Sequence, residues 1–178
     1  MNKLNSTDLK TALMEYFLMH RGMSANTEMK LWGSYIADVV AVNKNIYFAE
    51  VEVKVNKNDL ERELIAINCL LNGKNPNNTQ ASKYSKHRHY MEIESYTEYG
   101  VKDCVPNQFY FCVPEELKDM ALKGVKNTRY GVMVYNKHKS IIIEKVAKRL
   151  HDDKIKDYIF IKFLRKASFE AYKYMSNK

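Results

Sequence analysis

Two short stretches decide the fold expected for this chain: Asp38-Val39-Val40-Ala41-Val42 and Ala49-Glu50-Val51-Glu52-Val53-Lys54-Val55. The first is an apolar run that begins with a carboxylate. The second alternates apolar and charged residues with a period of two, which is the period of a β-strand. A polar turn at residues 43–45 separates the two stretches, so the pattern predicts a β-hairpin.

The second strand of this hairpin carries its charged residues on one face. Alternate residues of a strand share a face, so Glu50, Glu52 and Lys54 must project away from the face that the valines form. A solvated face of an antiparallel sheet explains many such patterns. Here Asp38 favours a functional site, because a carboxylate in an apolar strand has little other reason to be there.

An acid on one strand and a Glu-x-Lys sequence on its partner can meet at one point. Two carboxylates, a main-chain carbonyl and water are ligands that Mg²⁺ prefers. A lysine two residues after the second carboxylate is placed to hold a water molecule or to neutralise charge on a phosphate. The pattern therefore indicates metal-assisted phosphoryl chemistry.

Asp38 followed by Glu52-Val53-Lys54 resembles the D…(D/E)-x-K signature of the PD-(D/E)xK nuclease superfamily, which has the restriction-endonuclease-like fold. The segment 50–60 is similar to that of MmcB-like, DNA-repair-associated and phage-encoded members, where the Glu-x-Lys strand runs into a polar turn and an Asp-led helix. With the later segments 86–90, 109–117 and 130–134, the resemblance spans roughly residues 8 to 150. Ala37 stands where the signature has proline, a variation that many members share.

The resemblance implies an α/β domain at residues 1–150, with an αβββαβ core whose central mixed sheet is flanked by helices. It implies a deoxyribonuclease that depends on Mg²⁺ or Mn²⁺ and acts in DNA repair, recombination or phage DNA processing. Asp38, Glu52 and Lys54 are then the catalytic residues. The metal ligands are Asp38, Glu52 and the Val53 carbonyl, with Glu15 and Glu50 as further candidates.

Several polar residues are candidates for contacts with nucleic acid. Asn56 and Lys57 begin a predicted helix beside the site, where free backbone N–H groups can bind a phosphate. The segment 82–90 interleaves bases with aromatic residues, which is a composition typical of nucleic-acid contacts. In this segment, the composition indicates Lys83 and Arg88 as residues that contact nucleic acid. The resemblance implies the same for Lys86 and His87. A cationic helix face that contacts only water remains the alternative.

The chain has 178 residues, 46% hydrophobic and 28% charged, which is enough for one globular domain with a core. Its net charge of +8 favours a polyanionic partner, DNA first, with RNA not excluded. Three cysteines without a Cys-x-x-Cys pair predict a reducing compartment. The resemblance implies that this is the cytoplasm of a bacterium or of a phage-infected host. A zinc site from His87, His89, Cys104 and Cys112 matches no ligand spacing. We expect no membrane partner, because no apolar run approaches roughly 18 residues.

The periodicity places the remaining elements. Ser6 or Thr7 is expected to cap a first helix that ends before Gly22, and Pro114 to open a later helix. The other expected elements are a strand at 27–31, a turn at 32–34, a helix at 57–71, a loop at 72–80, a flexible insertion at 92–106, a strand at 107–113 and a hairpin of 130–135 with 140–143. A basic amphipathic helix at 152–178, within a C-terminal segment of residues 151–178, packs on the core, binds a partner or a second protomer in a homodimer, or extends the basic surface.

Two other classes of protein remain compatible with this sequence. One is a nucleic-acid-binding or regulatory protein that keeps the nuclease fold without turnover. The other is an interaction protein in which the charged residues form a surface ion network of little energetic value. A metal titration distinguishes an enzyme from both of these classes, because only the enzyme is expected to bind a metal through Asp38 and Glu52.

Overall fold

The computed structural model describes residues 4–32, 35–77, 80–92 and 104–176. Its helices are α1 (Ser6–Glu15), α2 (Lys57–Leu71), α3 (Ala81–Met91), α4 (Lys118–Gly124) and α5 (Asp157–Ser176). Its strands are β1 (Ser24–Trp32), β2 (Tyr35–Val42), β3 (Phe48–Val53), β4 (Gln108–Pro114), β5 (Gly131–Tyr135) and β6 (Ile141–Lys145). A π-helical turn at Tyr16–His20 continues α1, and a 3₁₀ turn at Glu115–Leu117 precedes α4.

The six strands form one sheet in the order β1-β2-β3-β4-β5-β6. Strands β1, β2 and β3 are antiparallel neighbours, and β3, β4 and β5 are parallel neighbours. Strand β6 returns antiparallel to β5. Helices α2 and α3 form the long crossover that a parallel β3–β4 pair requires. The predicted mixed α/β architecture, with helices around a central sheet and a C-terminal helix, is confirmed.

Helices cover both faces of the sheet. Helix α1 packs Leu9 and Leu13 against the face that presents Val39 and Val51. On the opposite face, helices α2, α3 and α4 pack over the aromatic residues of β4. Helix α5 covers the β1 and β2 side of that second face, where Phe163 joins a separate cluster. The charged side chains of β3 point to this second face, between the two groups of helices.

An irregularity in the first two strands lies one residue beyond the Val39↔Val51 pair, level with Glu52 of β3. Ala25 packs in the α1 cluster, whereas Met29 packs in the α5 cluster, although alternate residues of a regular strand share one face. The change of face coincides with Glu28, whose φ of 51° is left-handed. A left-handed conformation costs a non-glycine residue about 1–2 kcal/mol. Asp38 lies at the corresponding place in β2, between the pairs Thr27↔Val39 and Met29↔Ala37.

Three predicted helix starts are wrong, and the strand predicted at 27–31 is longer, Ser24–Trp32. The cap of α1 is Asn5, because its side chain and that of Asp8 each accept the other residue's backbone N–H. Pro114 ends β4 and precedes the 3₁₀ turn instead of opening a helix. Helix α5 begins at Asp157 and not at Asp152, because the Asn107 amide donates to the carbonyls of residues 151 and 153, which are then not available for a helix.

Two expectations fall largely outside the described residues, namely the turn at 32–34, of which Trp32 belongs to β1, and most of the insertion at 92–106. Across the described ranges, the helices are all too short or too polar to cross a membrane.

Candidate functional site

Strand β3 presents its charged side chains on one face, as the alternation predicts. Val51 and Val53 pack in the cluster with α1. Glu50, Glu52 and Lys54 instead contact residues of α2, α3 and β2 on the opposite face. This part of the prediction is confirmed, and it places three ionisable groups between the sheet and the crossover helices.

Asp38 lies beside the middle residue of Glu52-Val53-Lys54. Its Oδ2 atom accepts a hydrogen bond from the Val53 backbone amide at 2.9 Å. Its Oδ1 atom pairs with Lys10 Nζ at 2.8 Å, and Lys10 also pairs with Glu28 Oε1 at 2.8 Å. Since the N–H and C=O of one strand residue point towards the same neighbouring strand, the Val53 carbonyl is directed to the side where Asp38 lies.

Lys54 is buried among three carboxylates. Its Nζ atom lies 2.7 Å from Glu52 Oε1, 3.1 Å from Asp59 Oδ2 and 3.2 Å from Glu63 Oε2. Burial by itself would lower the pKa of Lys54, but the nearby carboxylates outweigh burial and raise the pKa above its ordinary value. The ammonium group therefore stays charged at physiological pH.

Each oxygen of the Glu52 carboxylate has its own cation. Oε1 pairs with Lys54, and Oε2 accepts from Lys86 Nζ at 3.1 Å and from the Tyr35 hydroxyl at 3.3 Å. Burial opposes ionisation of Glu52, but the charges of Lys86 and Lys54 prevail and its pKa lies below the ordinary value. Glu52 is thus ionised, and its side chain keeps 12% of its exposure to solvent.

Glu63 of α2 is a functional candidate that sequence reasoning missed. Its Oε1 atom lies 2.9 Å from both Lys86 Nζ and His87 Nε2, and its Oε2 atom pairs with Lys54 and Lys83. The side chain is completely buried, and although burial opposes ionisation, Lys86 and His87 hold its pKa well below the ordinary value. The available signal was its position, since residue 63 falls on the buried stripe of α2 with residues 60 and 67.

We call the closed set Glu52, Lys54, Glu63 and Lys86 the charge ring. Charges alternate around it, because each glutamate pairs with both lysines and each lysine with both glutamates. The ring joins β3 to both crossover helices.

The two residues selected on α3 by the resemblance are buried. Lys86 Nζ lies 5.3 Å from the centre of the Tyr35 ring and 5.1 Å from that of Phe109. His87 is fully enclosed, and burial lowers its pKa to about 4, so its imidazole is neutral at pH 7. A carboxylate only accepts hydrogen bonds, so Nε2 donates to Glu63 while Nδ1 accepts from Tyr130.

Glu50 is held by tyrosine hydroxyl groups. Tyr90 donates to Glu50 Oε2 at 2.6 Å, and Tyr35 donates to Glu50 Oε1. Burial raises the pKa of Glu50 to about 7. Tyr35 also contacts Glu52, so one hydroxyl group links the two glutamates of β3.

The remaining predicted residues lie around the charge ring or away from it. Glu15 is exposed at the end of α1, and the side chain of α1 that reaches Asp38 is Lys10. Asn56 caps α2 by accepting from the Asn58 amide, and Lys57 is exposed beside it. Lys83 pairs with Glu63 and with Asp59, whereas Arg88 is exposed and pairs with Glu92. The predicted roles of these residues in nucleic-acid binding stay predictions.

The ionic groups around Asp38 and the charge ring carry a net negative charge. Five carboxylates, from Glu28, Asp38, Glu52, Asp59 and Glu63, pair with four lysines, Lys10, Lys54, Lys83 and Lys86, which leaves one negative charge. No group of three or more His, Cys, Asp or Glu side chains within the described ranges is arranged to hold a metal ion. A cation here would need the predicted set of two carboxylates, a carbonyl oxygen and water.

A cleft of about 600 Å³ lies elsewhere, lined by Tyr47, Phe48 and residues 151–157. Phe48 and Glu52 are four residues apart on β3, which corresponds to roughly 13 Å along a strand. The cleft is therefore separate from the charge ring.

Comparison with known proteins identifies a shared fold. No protein-family profile matches the chain, and no curated protein is significantly similar to it. Among solved structures, the SPO1766 protein of unknown function from Silicibacter pomeroyi has a TM-score of 0.60 and 11% sequence identity. The match covers 98% of this chain and 91% of that one. At this identity the match concerns the fold alone.

Proposed function

We propose that this chain is a divalent-metal-dependent nuclease of the PD-(D/E)xK superfamily that hydrolyses phosphodiester bonds in DNA. The observation that carries the proposal is the hydrogen bond from the Val53 amide to Asp38, which brings one carboxylate against the middle of Glu52-Val53-Lys54. The sheet order supports it too. Three antiparallel strands followed, after a helical crossover, by a parallel strand is the arrangement that a restriction-endonuclease-like αβββαβ core requires.

The oxygen donors of Asp38, Glu52 and Val53 are of the kind that a hard divalent cation such as Mg²⁺ or Mn²⁺ prefers. A carboxylate offers about four lone-pair positions, of which Asp38 uses two and Glu52 three. Both side chains retain exposure to solvent, 26% for Asp38 and 12% for Glu52. With the Val53 carbonyl they would hold the cation, which supplies Lewis acidity and lowers the pKa of a bound water.

Lys54, Lys57 and the net positive charge of the protein are the features that would act on the phosphate groups of the substrate. The ammonium of Lys54 stays protonated because the carboxylates around it raise its pKa, and it orients water or neutralises charge on the phosphate. Lys57 and the positive end of the α2 dipole follow β3 closely in the chain and can bind a neighbouring phosphate. The net charge of +8 draws a polyanion to the protein.

Metal titration and a cleavage panel test this proposal. Wild-type protein should bind Mn²⁺ and cleave at least one of a set of labelled linear, flapped and four-way DNAs. Asp38→Asn and Glu52→Gln should lose both properties and retain DNA affinity within about threefold, because they remove metal ligands and no phosphate contacts. Asp119→Asn, a matched neutralisation on the exposed surface of α4, should behave as wild type. Wild-type turnover by either site variant would refute the metal assignment.

A second candidate is a nucleic-acid-binding or regulatory protein that does not turn over. Its support is that Asp38 and Glu52 already pair with lysines, so their charge is compensated without a metal. Such a protein would bind DNA with equal affinity in Mn²⁺ and in a chelator, and would leave every DNA of the panel intact.

A further inference from the structure

We infer that Glu63 is a positioning residue that holds Lys54 and Lys86 against the two oxygens of Glu52. This inference rests on the function proposed for Glu52 and Lys54. Glu63 comes from α2 and contacts the two lysines at 3.2 and 2.9 Å, and these lysines contact Glu52 at 2.7 and 3.1 Å. The ammonium groups therefore bridge a carboxylate of the sheet and a carboxylate of the helix.

Hydrogen-bond capacity separates the roles of the two glutamates. Glu63 receives four cationic or N–H partners, two on each oxygen, which equals the capacity of a carboxylate. Its side chain is completely buried, so it has neither a lone pair nor solvent access to offer a metal. Glu52 receives three partners and remains partly exposed. Glu63 thus acts through the lysines, whereas Glu52 faces the reacting groups.

The Glu63 carboxylate is itself held in place by a hydrogen-bonded chain of two buried side chains. The His87 Nε2 atom donates to it at 2.9 Å, and Tyr130 holds the other ring nitrogen of His87 at 3.1 Å. Both side chains are completely buried. A carboxylate anchored in this way has one orientation, so its lysine partners do too.

Without the Glu63 charge, the lysines would lose their common anchor. Of their described carboxylate partners, Lys54 would keep Glu52 and Asp59, Lys86 would keep only Glu52, and Lys83 would keep only Asp59. The repulsion between the two ammonium groups on Glu52 would lose the Glu63 charge that offsets it, and long lysine side chains regain rotamer freedom when a contact is lost. Glu52 and Lys54 would no longer keep a fixed geometry.

The test compares Glu63→Gln with Asp59→Asn. Both remove one negative charge next to Lys54 and Lys83, but Asp59 makes no ion pair with Lys86 in the described structure and lies outside the charge ring. NMR of ¹⁵N-labelled lysine ammonium groups in metal-free protein gives a readout that is independent of activity. Single-turnover cleavage at saturating Mn²⁺ and DNA gives the second readout.

In wild type, the Lys54 and Lys86 ammonium protons should be protected from exchange. Glu63→Gln should lose this protection and lower the single-turnover rate by about 10- to 100-fold, the range for removing a group that orients catalytic residues, with DNA affinity changed less than threefold. Asp59→Asn should keep the Lys86 signal. Its loss of single-turnover rate should be at least tenfold smaller than that of Glu63→Gln. Where Glu63→Gln does not fold, Glu63→Asp keeps the charge but is one methylene too short to span both lysines, and should show the same loss of protection.

Protected ammonium protons in the Glu63 variant, together with a rate within threefold of wild type, would overturn the inference. A wild-type protein that shows the protected signals but neither binds Mn²⁺ nor cleaves DNA would refute the proposed nuclease, while loss of those signals in Glu63→Gln would still establish the positioning contact. The two failures are therefore distinguishable.

Discussion

His87 and Glu50 are completely buried, and burial moves their pKa values in opposite directions. Burial lowers the pKa of His87 from 6.5 to about 4, and raises the pKa of Glu50 from 4.5 to about 7. We therefore expect the stability of the metal-free protein to be nearly independent of pH between about 4.5 and 6.5, the overlap of the two titration ranges.

The two contributions have opposite sign. Between pH 6.5 and about 4 the unfolded chain binds a proton at His87 that the folded protein does not, so acidification lowers the free energy of unfolding. Between pH 7 and 4.5 the folded protein binds a proton at Glu50 that the unfolded chain does not, so acidification raises it. Each difference, 6.5 minus about 4 and about 7 minus 4.5, corresponds to about 3 kcal/mol at about 1.4 kcal/mol per pKa unit.

Urea unfolding at a series of pH values, with a chelator present, measures both contributions. Glu50→Gln removes one of them, so this variant should lose about 3 kcal/mol between pH 6.5 and 4.5. His87→Gln removes the other and should gain a similar amount over that range. Below about pH 4.5 all variants should lose stability, because the lowered pKa values of Glu52, Glu63 and Asp59 then come into effect.

The comparison depends on slopes, so a uniform loss of stability from either substitution does not affect it. A Glu50→Gln protein whose unfolding free energy is as independent of pH as that of wild type would refute the reasoning. So would a wild-type protein that loses several kcal/mol between pH 6.5 and 4.5.

Three further outcomes are expected. Lys54→Met, which keeps the apolar stem, should lower the single-turnover rate at least about 10²-fold, and a loss below threefold would make Lys54 structural. Asn107→Ala should lower the free energy of unfolding in urea by about 2–4 kcal/mol, because this buried amide accepts from the Phe48 N–H and donates to two carbonyls ahead of α5; an unchanged midpoint would contradict this. Arg88→Ala should weaken binding to all DNA sequences alike and flatten the salt dependence by about one unit, and an unchanged slope would place Arg88 away from the DNA.

Local periodicity was sufficient for part of the fold. The hairpin of β2 and β3, the single face of Glu50, Glu52 and Lys54, and the bounds of α2 at Lys57–Leu71 all follow from patterns a few residues long. These features depend on backbone geometry, which repeats every two residues in a strand and every 3.6 in a helix. Where the backbone departs from that repeat, as β1 does at Glu28, the pattern no longer reports the face.

The partners of the charged residues were decided by tertiary structure. Lys86 lies 34 positions from Glu52 in the sequence, and His87 lies 24 from Glu63. The composition of 82–90 indicates an exposed basic helix, but packing of α3 against α2 buries Lys86 and His87 in contact with carboxylates. Periodicity reports which face a side chain occupies and not what covers that face. A buried lysine retains its charge only where distant acids compensate its desolvation, and chain topology alone brings those acids to it.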